Sequence, residues 1–188
     1  MLDVGCYDGQ LIAAVLGGAP CPRGDRSVVG VDISERALRA ARGRGLLVAR
    51  AQVEAVLPFV DSAFATLVAA EVLEHVFDTE AVLAEFARVL RPGGWLVITT
   101  PNLVALSGRV QILLGRSPRN IEFDASPGTS GHIRYFTFDT LETLLRRVGL
   151  QPIGRWTNVT HFSVLGSSAL VGRLAPGLGH TLISVARK

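Results

Sequence analysis

Short apolar runs alternate with segments of helical periodicity along most of the 188 residues, and this alternation restricts the possible folds more than any other feature. The runs are rich in β-branched residues, which is typical of buried strands. Because helical segments separate the runs, neighbouring strands are predicted to lie parallel in one sheet. The predicted strands are Leu2–Gly5, Ser27–Val31, Leu46–Ala49, Ala65–Ala70, Trp95–Thr99, Pro152–Asn158 and Thr181–Ala186.

Four segments between these runs have the apolar spacing of helices. The predicted helices are Gln10–Leu16, the segment after a Ser34 cap, the segment that begins at Asp78 or Thr79 and ends before Pro92-Gly93-Gly94, and Phe138–Val148. This order predicts a doubly wound α/β fold with an open, mostly parallel, seven-stranded sheet and helices on both faces. A ligand of such a fold binds at the carboxyl ends of the first strands.

The composition fits one domain over residues 1–188. Hydrophobic residues make up 48% of the chain, which is enough for a full core, but no apolar run is long enough to span a membrane. The first residues lack the basic and apolar regions of a signal peptide. Cys6 and Cys21 are the only cysteines, and we expect both to be free thiols. A cytoplasmic location is therefore expected.

The net charge of +3 does not by itself indicate a nucleic-acid partner. Lys188 is the only lysine, and the arginines are scattered over several predicted helix faces without interleaved aromatic residues. A nucleic-acid footprint should form a stripe or a cluster of positive charge. We therefore expect no nucleic-acid partner.

A strand, a glycine turn and a helix follow one another at the start of the chain. Gly5 allows a sharp turn, and Gly9 allows the backbone to approach a ligand or the strand closely. A dinucleotide site would use the spacing Gly-x-Gly-x-x-Gly, which is absent because Tyr7 stands between the two glycines. Asp3, just before the turn, would repel a pyrophosphate but attract an ammonium group. The pattern favours a zwitterionic, sulfonium-bearing ligand over NAD.

Asp32 closes the second predicted strand and is a candidate ribose ligand. A carboxylate at this position can accept hydrogen bonds from both ribose hydroxyls. The spacing between Gly9 and Asp32 is close to the roughly 20 residues of a nucleoside-binding unit. The alternative is an acidic residue that stabilises the N-terminus of the helix after Ser34.

Two further groups of residues have competing interpretations. On a helix, Glu71, Glu74 and His75 would share one face, as in a metalloprotease motif. We expect no metal there, because the first histidine of that motif is replaced by Glu71 and no further ligand cluster follows. Cys6 lies where a helix N-terminus could activate a thiolate, but we expect it to be a small packing group.

Five short motifs occur in order: Leu2–Gly9, Val29–Ser34, Leu57–Phe59, Glu71–His75 and Arg88–Gly94. Together they resemble the class I S-adenosylmethionine-dependent methyltransferases, which have a Rossmann-like fold. The branch that contains the ubiquinone-pathway and MetW-like enzymes is the most similar, and Gly131–Thr137 resembles a motif common in that branch. The resemblance covers about the first 150 residues.

The resemblance implies S-adenosylmethionine (SAM) as methyl donor and S-adenosylhomocysteine as product. The glycine turn and Asp3 would line the methionine end, Asp32 would hold the ribose, and Ile33 would pack on the adenine. Glu71 would lie beneath the sulfonium, and His75 would lie toward the acceptor. The implied cofactor-binding residues are Asp3, Gly5, Cys6, Tyr7, Gly9, Asp32, Ile33, Gln52, Val53 and Glu71.

Several positions depart from the family pattern. Tyr7 replaces a usual glycine, Gln52 lies near a position where an adenine-binding aspartate is expected, and Ala65 replaces an aspartate that often follows the position of Phe64. Related enzymes usually have one or two helices before the first strand. Only Met1 precedes that strand here, so these helices are expected to be missing.

The acceptor is expected to be small and partly apolar, with methylation on oxygen, nitrogen or carbon. Only a hydroxyl or an acidic carbon needs a general base. His132 is the first candidate, His75 is the second, and Tyr135 is a candidate orienting group. The alternative for His132 is a loop residue that is hydrogen-bonded to the backbone.

Residues 102–134 are predicted to form an insertion over the acceptor side of the sheet. Its first part is apolar, from Leu103 to Leu114, and its second part is polar. The simplest interpretation is a lid helix that packs on the sheet. The alternatives are an apolar acceptor tunnel and peripheral contact with a membrane surface.

Two other classes of function stay open. A non-catalytic module with the same fold, which binds a partner protein or binds SAM weakly, would agree with Tyr7 and Gln52. A nucleotide-dependent oxidoreductase would share the fold class but would need the missing glycine spacing. The sequence makes no prediction of the oligomeric state.

Overall fold

Apolar, β-branched runs form the strands of a seven-stranded sheet, close to where the sequence predicts them. The structure, a computed structural model, describes residues 1–15, 28–118, 121–122, 129–158, 160–162 and 166–188. Three residues named in the predictions lie outside these ranges: Leu16 at the end of the first predicted helix, the cysteine Cys21, and Ser27 at the start of the second predicted strand. The strands are β1 Leu2–Val4, β2 Val29–Asp32, β3 Leu47–Arg50, β4 Phe64–Ala70, β5 Leu90–Pro101, β6 Gln151–Trp156, β7 Thr160–Phe162, β8 Gly166–Ser168 and β9 Thr181–Arg187.

The strand order in the sheet is β3-β2-β1-β4-β5-β9-β6, and β7 pairs with β8 in a separate hairpin. Strands β1 to β5 are parallel to one another, whereas β9 is antiparallel to both β5 and β6. The predicted doubly wound, mostly parallel sheet is therefore confirmed. The connections leave β1 and β4 in opposite directions, which creates a crevice at the carboxyl ends of these two strands.

Side-chain caps define the starts of three helices. Ser34 Oγ accepts from Ala37 N, Asp78 Oδ1 accepts from Ala81 N, and Thr137 forms a capping box with Thr140. These caps confirm the predicted starts of the second, third and fourth predicted helices. The helices are α1 Gln10–Val15, α2 Glu35–Gly43, α3 Thr79–Val89, α4 Leu106–Leu113, α5 Phe138–Arg147 and α6 Ala169–Leu174.

Two neighbouring residues of β3 show that helices cover both faces of the sheet. Val48 packs against a cluster that contains Ile12 of α1 and Ala41 of α2. Ala49 packs against the larger core, which contains Phe86 of α3 and buried residues of α5. Because successive strand residues point to opposite faces, the two clusters lie on opposite faces of the sheet.

The Pro92-Gly93-Gly94 segment follows the end of α3, as predicted, but it belongs to β5, whereas the sequence predicts a strand that begins at Trp95. Helix α3 ends directly before β5, and β5 begins at Leu90 and includes this segment. Gly93 N donates to Lys188 O at 2.8 Å, and Lys188 N donates to Gly94 O at 3.0 Å. These bonds to Lys188 hold the segment in the sheet, although Gly93 keeps a left-handed φ of 74° and the register between β4 and β5 shifts at this point.

Helix α6 and the hairpin β7–β8 are additional to the elements that the sequence predicts. Helix α4 lies in the predicted insertion and contacts β7. Only Gly108 of α4 is buried, whereas Leu113 is 85% exposed. Within the part of the chain that the structure describes, no helix is both long and apolar enough to cross a membrane.

Candidate cofactor and acceptor site

A cavity of about 250 Å³ opens at the carboxyl ends of β1, β2 and β4. Val4 at the end of β1, Asp32 at the end of β2 and Glu71 directly after β4 contribute to its wall. The cavity therefore lies in the crevice that the strand order creates. The other wall residues are Gly5, Val31, Ile33, Ala51, Gln52, Val53, Glu54, Val72, His75 and Val76.

The turn between β1 and α1 requires glycine at two positions. Gly5 has a φ of 72° and Gly9 has a φ of 81°, both in the left-handed region. A Cβ at Gly5 would lie 2.7 Å from Val72 Cγ2, and one at Gly9 would lie 2.2 Å from Leu46 Cδ1. Gly5 thus lets the turn approach the cavity wall, whereas Gly9 lets the start of α1 pack against the segment between α2 and β3.

The carboxylate of Asp32 is fixed by two backbone amides. Tyr7 N donates to Asp32 Oδ2 at 2.9 Å, and Ser34 N donates to Asp32 Oδ1 at 2.8 Å. Tyr7 makes its bond from a left-handed conformation with a φ of 47°, which costs a residue with a side chain roughly 1 kcal/mol. Since a carboxylate has about four acceptor positions, Asp32 keeps the capacity to accept from two ribose hydroxyls.

Asp3 is a buried carboxyl group in the middle of β1. Its side chain is 1% exposed, and neither carboxyl oxygen has a hydrogen-bond partner among the described residues. Burial, together with the negative charge of Asp32, raises the pKa of Asp3 to about 7. A buried polar group without a partner is rare in a folded protein, so this carboxyl fits a cationic ligand group in the adjacent cavity.

Cys6 packs inside the turn. A Cβ at Gly30 of the neighbouring strand would lie only 2.6 Å from Cys6 Sγ, so the thiol fills space that glycine leaves open. Burial and the charges of Asp3 and Asp32 raise the pKa of Cys6 to about 12. The thiol is therefore not activated, which agrees with a packing group.

The segment after β4 is not a regular helix. Glu71 has a φ of 53°, and only Leu73–His75 form a short 3₁₀ turn. Glu71 is held by Thr99 at the end of β5: its amide donates to Thr99 O at 3.0 Å, and its Oε1 accepts from Thr99 Oγ1 at 2.7 Å. The shared-face interpretation is wrong because Glu71 lies outside the turn and is bonded to the sheet.

A second group of polar residues lies at the edge of the cavity. The rings of His75 and His132 are 5.1 Å apart, and one ligand atom each from Glu74, His75 and His132 lie within 4.8 Å of one another. Glu74 is 1% exposed, and its Oε2 accepts from Thr100 Oγ1 at 3.1 Å. Burial is the largest cause that raises the pKa of Glu74 to about 7. The group could take up a proton or hold a divalent cation.

His132 belongs to residues 129–136, which form neither a helix nor a regular strand and which we call the His132 segment. Ile133 N and Arg134 N both donate to Glu74 O, at 2.8 and 3.1 Å. His75 Nδ1 lies 3.2 Å from Gly131 O. These bonds bring residues that are more than 50 positions apart in the sequence to the same end of the sheet.

The predicted site residues fall into three groups. Six of the ten predicted cofactor residues line the cavity, namely Gly5, Asp32, Ile33, Gln52, Val53 and Glu71. The predicted catalytic residue His75 lines it too. Asp3, Cys6, Tyr7 and Gly9 belong to β1 and its turn but are not wall residues. His132 contacts His75, whereas Tyr135 lines a different cavity beside α5.

Sequence reasoning missed several apolar wall residues, notably Val72 and Val76. They lie shortly after β4, and a doubly wound sheet binds its ligand at the carboxyl ends of such strands. Their position after β4 could therefore have indicated them. Sequence reasoning also missed Glu54, whose Oε1 accepts from Phe77 N at 2.7 Å and ties two cavity-lining loops together. No local pattern identifies that long-range bond.

The sheet order and the cavity at its strand ends define a Rossmann-like fold of the class I methyltransferase type. The structure is similar to that of a SAM-dependent methyltransferase from Thermotoga maritima, with a TM-score of 0.68 and 23% identity over 100% of this chain and 81% of the other. The family described as "methyltransferase domain" matches residues 1–153. The chain belongs to this methyltransferase domain family, as its motifs predict.

Curated relatives are similar over most of this chain. The ubiquinone biosynthesis O-methyltransferase of Thiobacillus denitrificans is 31% identical over 164 residues, which are 80% of this chain and 64% of the relative. The 27-O-demethylrifamycin SV methyltransferase of Amycolatopsis mediterranei is 30% identical over 165 residues, which are 81% of this chain and 54% of the relative. The chain thus spans less than two thirds of the length of either relative.

Proposed function

We propose that the protein is a SAM-dependent methyltransferase that methylates a hydroxyl group of a small acceptor and releases S-adenosylhomocysteine. The observation that carries the proposal is the buried carboxyl of Asp3, which has no partner among the described residues and lies next to the cavity. The ammonium group of SAM would supply the missing partner. The names of both relatives refer to a methyl group on oxygen, which favours a hydroxyl acceptor.

The residues of the cavity have distinct proposed roles. SAM, when bound, supplies an electrophilic methyl group, so the protein has to hold and orient it and exclude water. Asp3 holds the ammonium end, and Asp32 accepts from the ribose hydroxyls. Ile33 and Gln52 contact the adenine, where the Gln52 amide can donate or accept a hydrogen bond.

His132 is the proposed general base. A hydroxyl acceptor loses its proton as its oxygen bonds to the methyl carbon, and a neutral imidazole can take that proton. His132 Nδ1 is buried and has no hydrogen-bond partner among the described residues. The neighbouring Glu74 carboxyl can stabilise the imidazolium that results. The proton then passes to solvent when the product leaves.

One observation favours a second mechanism, in which Glu74, His75 and His132 hold a divalent cation. Their ligand atoms lie within 4.8 Å of one another, and such a cation would lower the pKa of an acceptor hydroxyl. The absence of a metal stays a prediction from the sequence. Dialysis against a chelator distinguishes the two: the base mechanism predicts unchanged turnover, whereas the cation mechanism predicts loss of turnover and recovery with Mg²⁺, Mn²⁺ or Zn²⁺.

We further propose that residues 1–188 form one domain in which residues 102–134 cover the acceptor. Ile112 and Leu113 at the end of α4 and the adjacent Leu114 are exposed, which supports an apolar acceptor or peripheral contact with a membrane. Deletion of 104–115 should abolish acceptor turnover and leave SAM binding intact. Equal loss of both would contradict the lid, and sedimentation with anionic lipid vesicles would detect the membrane contact.

The test of the proposed function is methyl transfer from labelled SAM to panels of phenols, quinols, sugars and lipids. Label in a hydroxyl acceptor, with one S-adenosylhomocysteine released per methyl group, supports the proposal. SAM binding without transfer to any acceptor supports the non-catalytic module. Binding of NAD in place of SAM supports the oxidoreductase.

A further inference from the structure

Glu122 makes a set of hydrogen bonds that neither the family assignment nor the proposed mechanism uses. Its carboxylate accepts from three successive backbone amides: Ser130 N on Oε1, and Gly131 N and His132 N on Oε2, the last two at 2.7 and 2.9 Å. Three amides that converge on one anion form a nest. Partial desolvation opposes ionisation, but these amides hold the pKa of Glu122 below its usual value, so the carboxylate is charged at neutral pH.

Tyr135 provides a second connection between the same two stretches of chain. Glu122 N donates to Tyr135 Oη at 3.0 Å, and the Tyr135 hydroxyl lies 3.2 Å from His132 O, to which it can donate. The side chain and the backbone of Glu122 therefore both bind the His132 segment. The hydroxyl of Tyr135 bonds directly to the residue that carries the proposed base.

The opposite side of the His132 segment is bonded to the turn that carries Glu74 and His75. Glu74 O accepts from two amides of the segment, and His75 Nδ1 contacts Gly131 O. Gly131, which lies between the two sets of bonds, has a φ of 77° in the left-handed region that glycine adopts without strain. The backbone of His132 is thus held from two sides, by Glu122 and by the turn.

The geometry points to Glu122 as a positioning residue that sets the His132 imidazole against Glu74 and His75 for proton transfer. Glu122 does not line the cofactor cavity, so its role is to orient the base and not to bind SAM. This inference rests on the proposed function, in which His132 receives the acceptor proton. A displacement of about 1 Å in a reacting group can lower turnover by roughly 100-fold.

The test compares Glu122→Gln with the wild-type chain. The carboxamide has one acceptor oxygen, and its NH₂ group cannot accept, so at least one amide of the nest loses its partner. We expect kcat to fall about 10- to 100-fold, while KM for SAM and Kd for S-adenosylhomocysteine change less than about twofold. Glu80→Gln is the matched control, because Glu80 is an exposed carboxylate that pairs with Arg147 and does not bond to the His132 segment.

A double-mutant cycle with His132→Gln separates positioning from general loss of structure. If Glu122 acts through His132, adding Glu122→Gln to His132→Gln lowers kcat no further. A readout independent of activity is the NMR signal of the Gly131 and His132 amide protons, which should shift upfield in Glu122→Gln. Tyr135→Phe, which keeps the carboxylate, should give a smaller fall in kcat.

The outcomes separate the inference from the function on which it rests. No methyl transfer by the wild-type chain would overturn the proposed function. Normal turnover by the wild-type chain with an equal kcat for Glu122→Gln would overturn only the inference. Independent, multiplicative losses in the double mutant, or loss of S-adenosylhomocysteine binding in Glu122→Gln, would also overturn it.

Discussion

The cofactor side and the acceptor side of the site are built in different ways. On the cofactor side, Asp3, the glycine turn and Asp32 lie within about 30 residues and belong to two adjacent parallel strands and the turn after the first. On the acceptor side, Glu74, Glu122 and His132 come from separate segments, which backbone bonds to Glu74 O and side-chain bonds to the Glu122 carboxylate hold together. Because the two sides are built separately, we expect substitutions on the cofactor side to change mainly SAM binding and substitutions on the acceptor side to change mainly turnover.

The largest expected effect is on the acceptor side, where His132→Gln should lower kcat by about 100-fold or more, as expected for loss of a general base. The affinity for SAM should change little, because His132 is not a wall residue of the cofactor cavity. Steady-state kinetics with labelled SAM and calorimetry measure the two quantities. His180→Gln, before β9, is the control, and an equal kcat in both variants would remove His132 from the chemistry.

The next effect is on the cofactor side, where Asp32→Ala should weaken SAM binding by about 1–3 kcal/mol through loss of charged hydrogen bonds. This corresponds to a Kd roughly 5- to 150-fold higher, with kcat at saturating SAM less affected. Asp61→Ala, which removes an exposed carboxylate that pairs with Arg88, is the control. Unchanged affinity in Asp32→Ala would show that the ribose binds elsewhere.

A pH dependence of intermediate size is expected from Asp3, whose pKa is raised to about 7 by burial and by Asp32. Below pH 7 the free site holds a proton that an ammonium ligand must displace, so Kd for SAM should rise as pH falls, by up to about tenfold per unit. Calorimetry between pH 5.5 and 7 measures the slope. Asp3→Asn should flatten it, and an equal slope in that variant would assign the titration to another group.

Asp3 should also affect the free energy of unfolding of the unligated protein. Its raised pKa means that the unfolded chain ionises first, so the folded state binds more protons between about pH 4 and 7. The contribution of Asp3 to stability is therefore fully present below about pH 4 and is lost as pH rises through about 7. Urea unfolding measures this effect: the free energy of unfolding of the wild type, relative to that of Asp3→Asn, should fall between about pH 4 and 7. A relative free energy that rises with pH would contradict the burial of an unpaired carboxyl.

The smallest expected effect is the release of strain in Tyr7→Gly. A left-handed φ costs a residue with a side chain about 1 kcal/mol, and the greater freedom of unfolded glycine offsets part of the gain. We expect a net stabilisation of roughly 0.5 kcal/mol. Ser62→Gly, with a φ of 58° outside the site, is the matched control. Destabilisation by Tyr7→Gly alone would show that the ring of Tyr7 contributes packing that outweighs the strain.

The same contrast explains what the sequence could predict. Strand positions, helix caps and the cofactor residues at strand ends follow from local patterns such as the glycine turn and the acid after β2. The sequence predicts β5 to begin at Trp95 and not at Leu90, because Gly93 and Gly94 pair with Lys188, which is almost 100 positions away. Glu122 was missed for the same reason, since an isolated glutamate in a polar stretch has no pattern that indicates its backbone partners.

The most direct test of the central claim is calorimetric titration of the chain with SAM, S-adenosylhomocysteine and NAD. The cavity beside Asp3 and Asp32 predicts saturable binding of SAM and S-adenosylhomocysteine with one site per chain, and no binding of NAD. Absence of binding for both SAM and S-adenosylhomocysteine would contradict the assignment of this cavity as a SAM site.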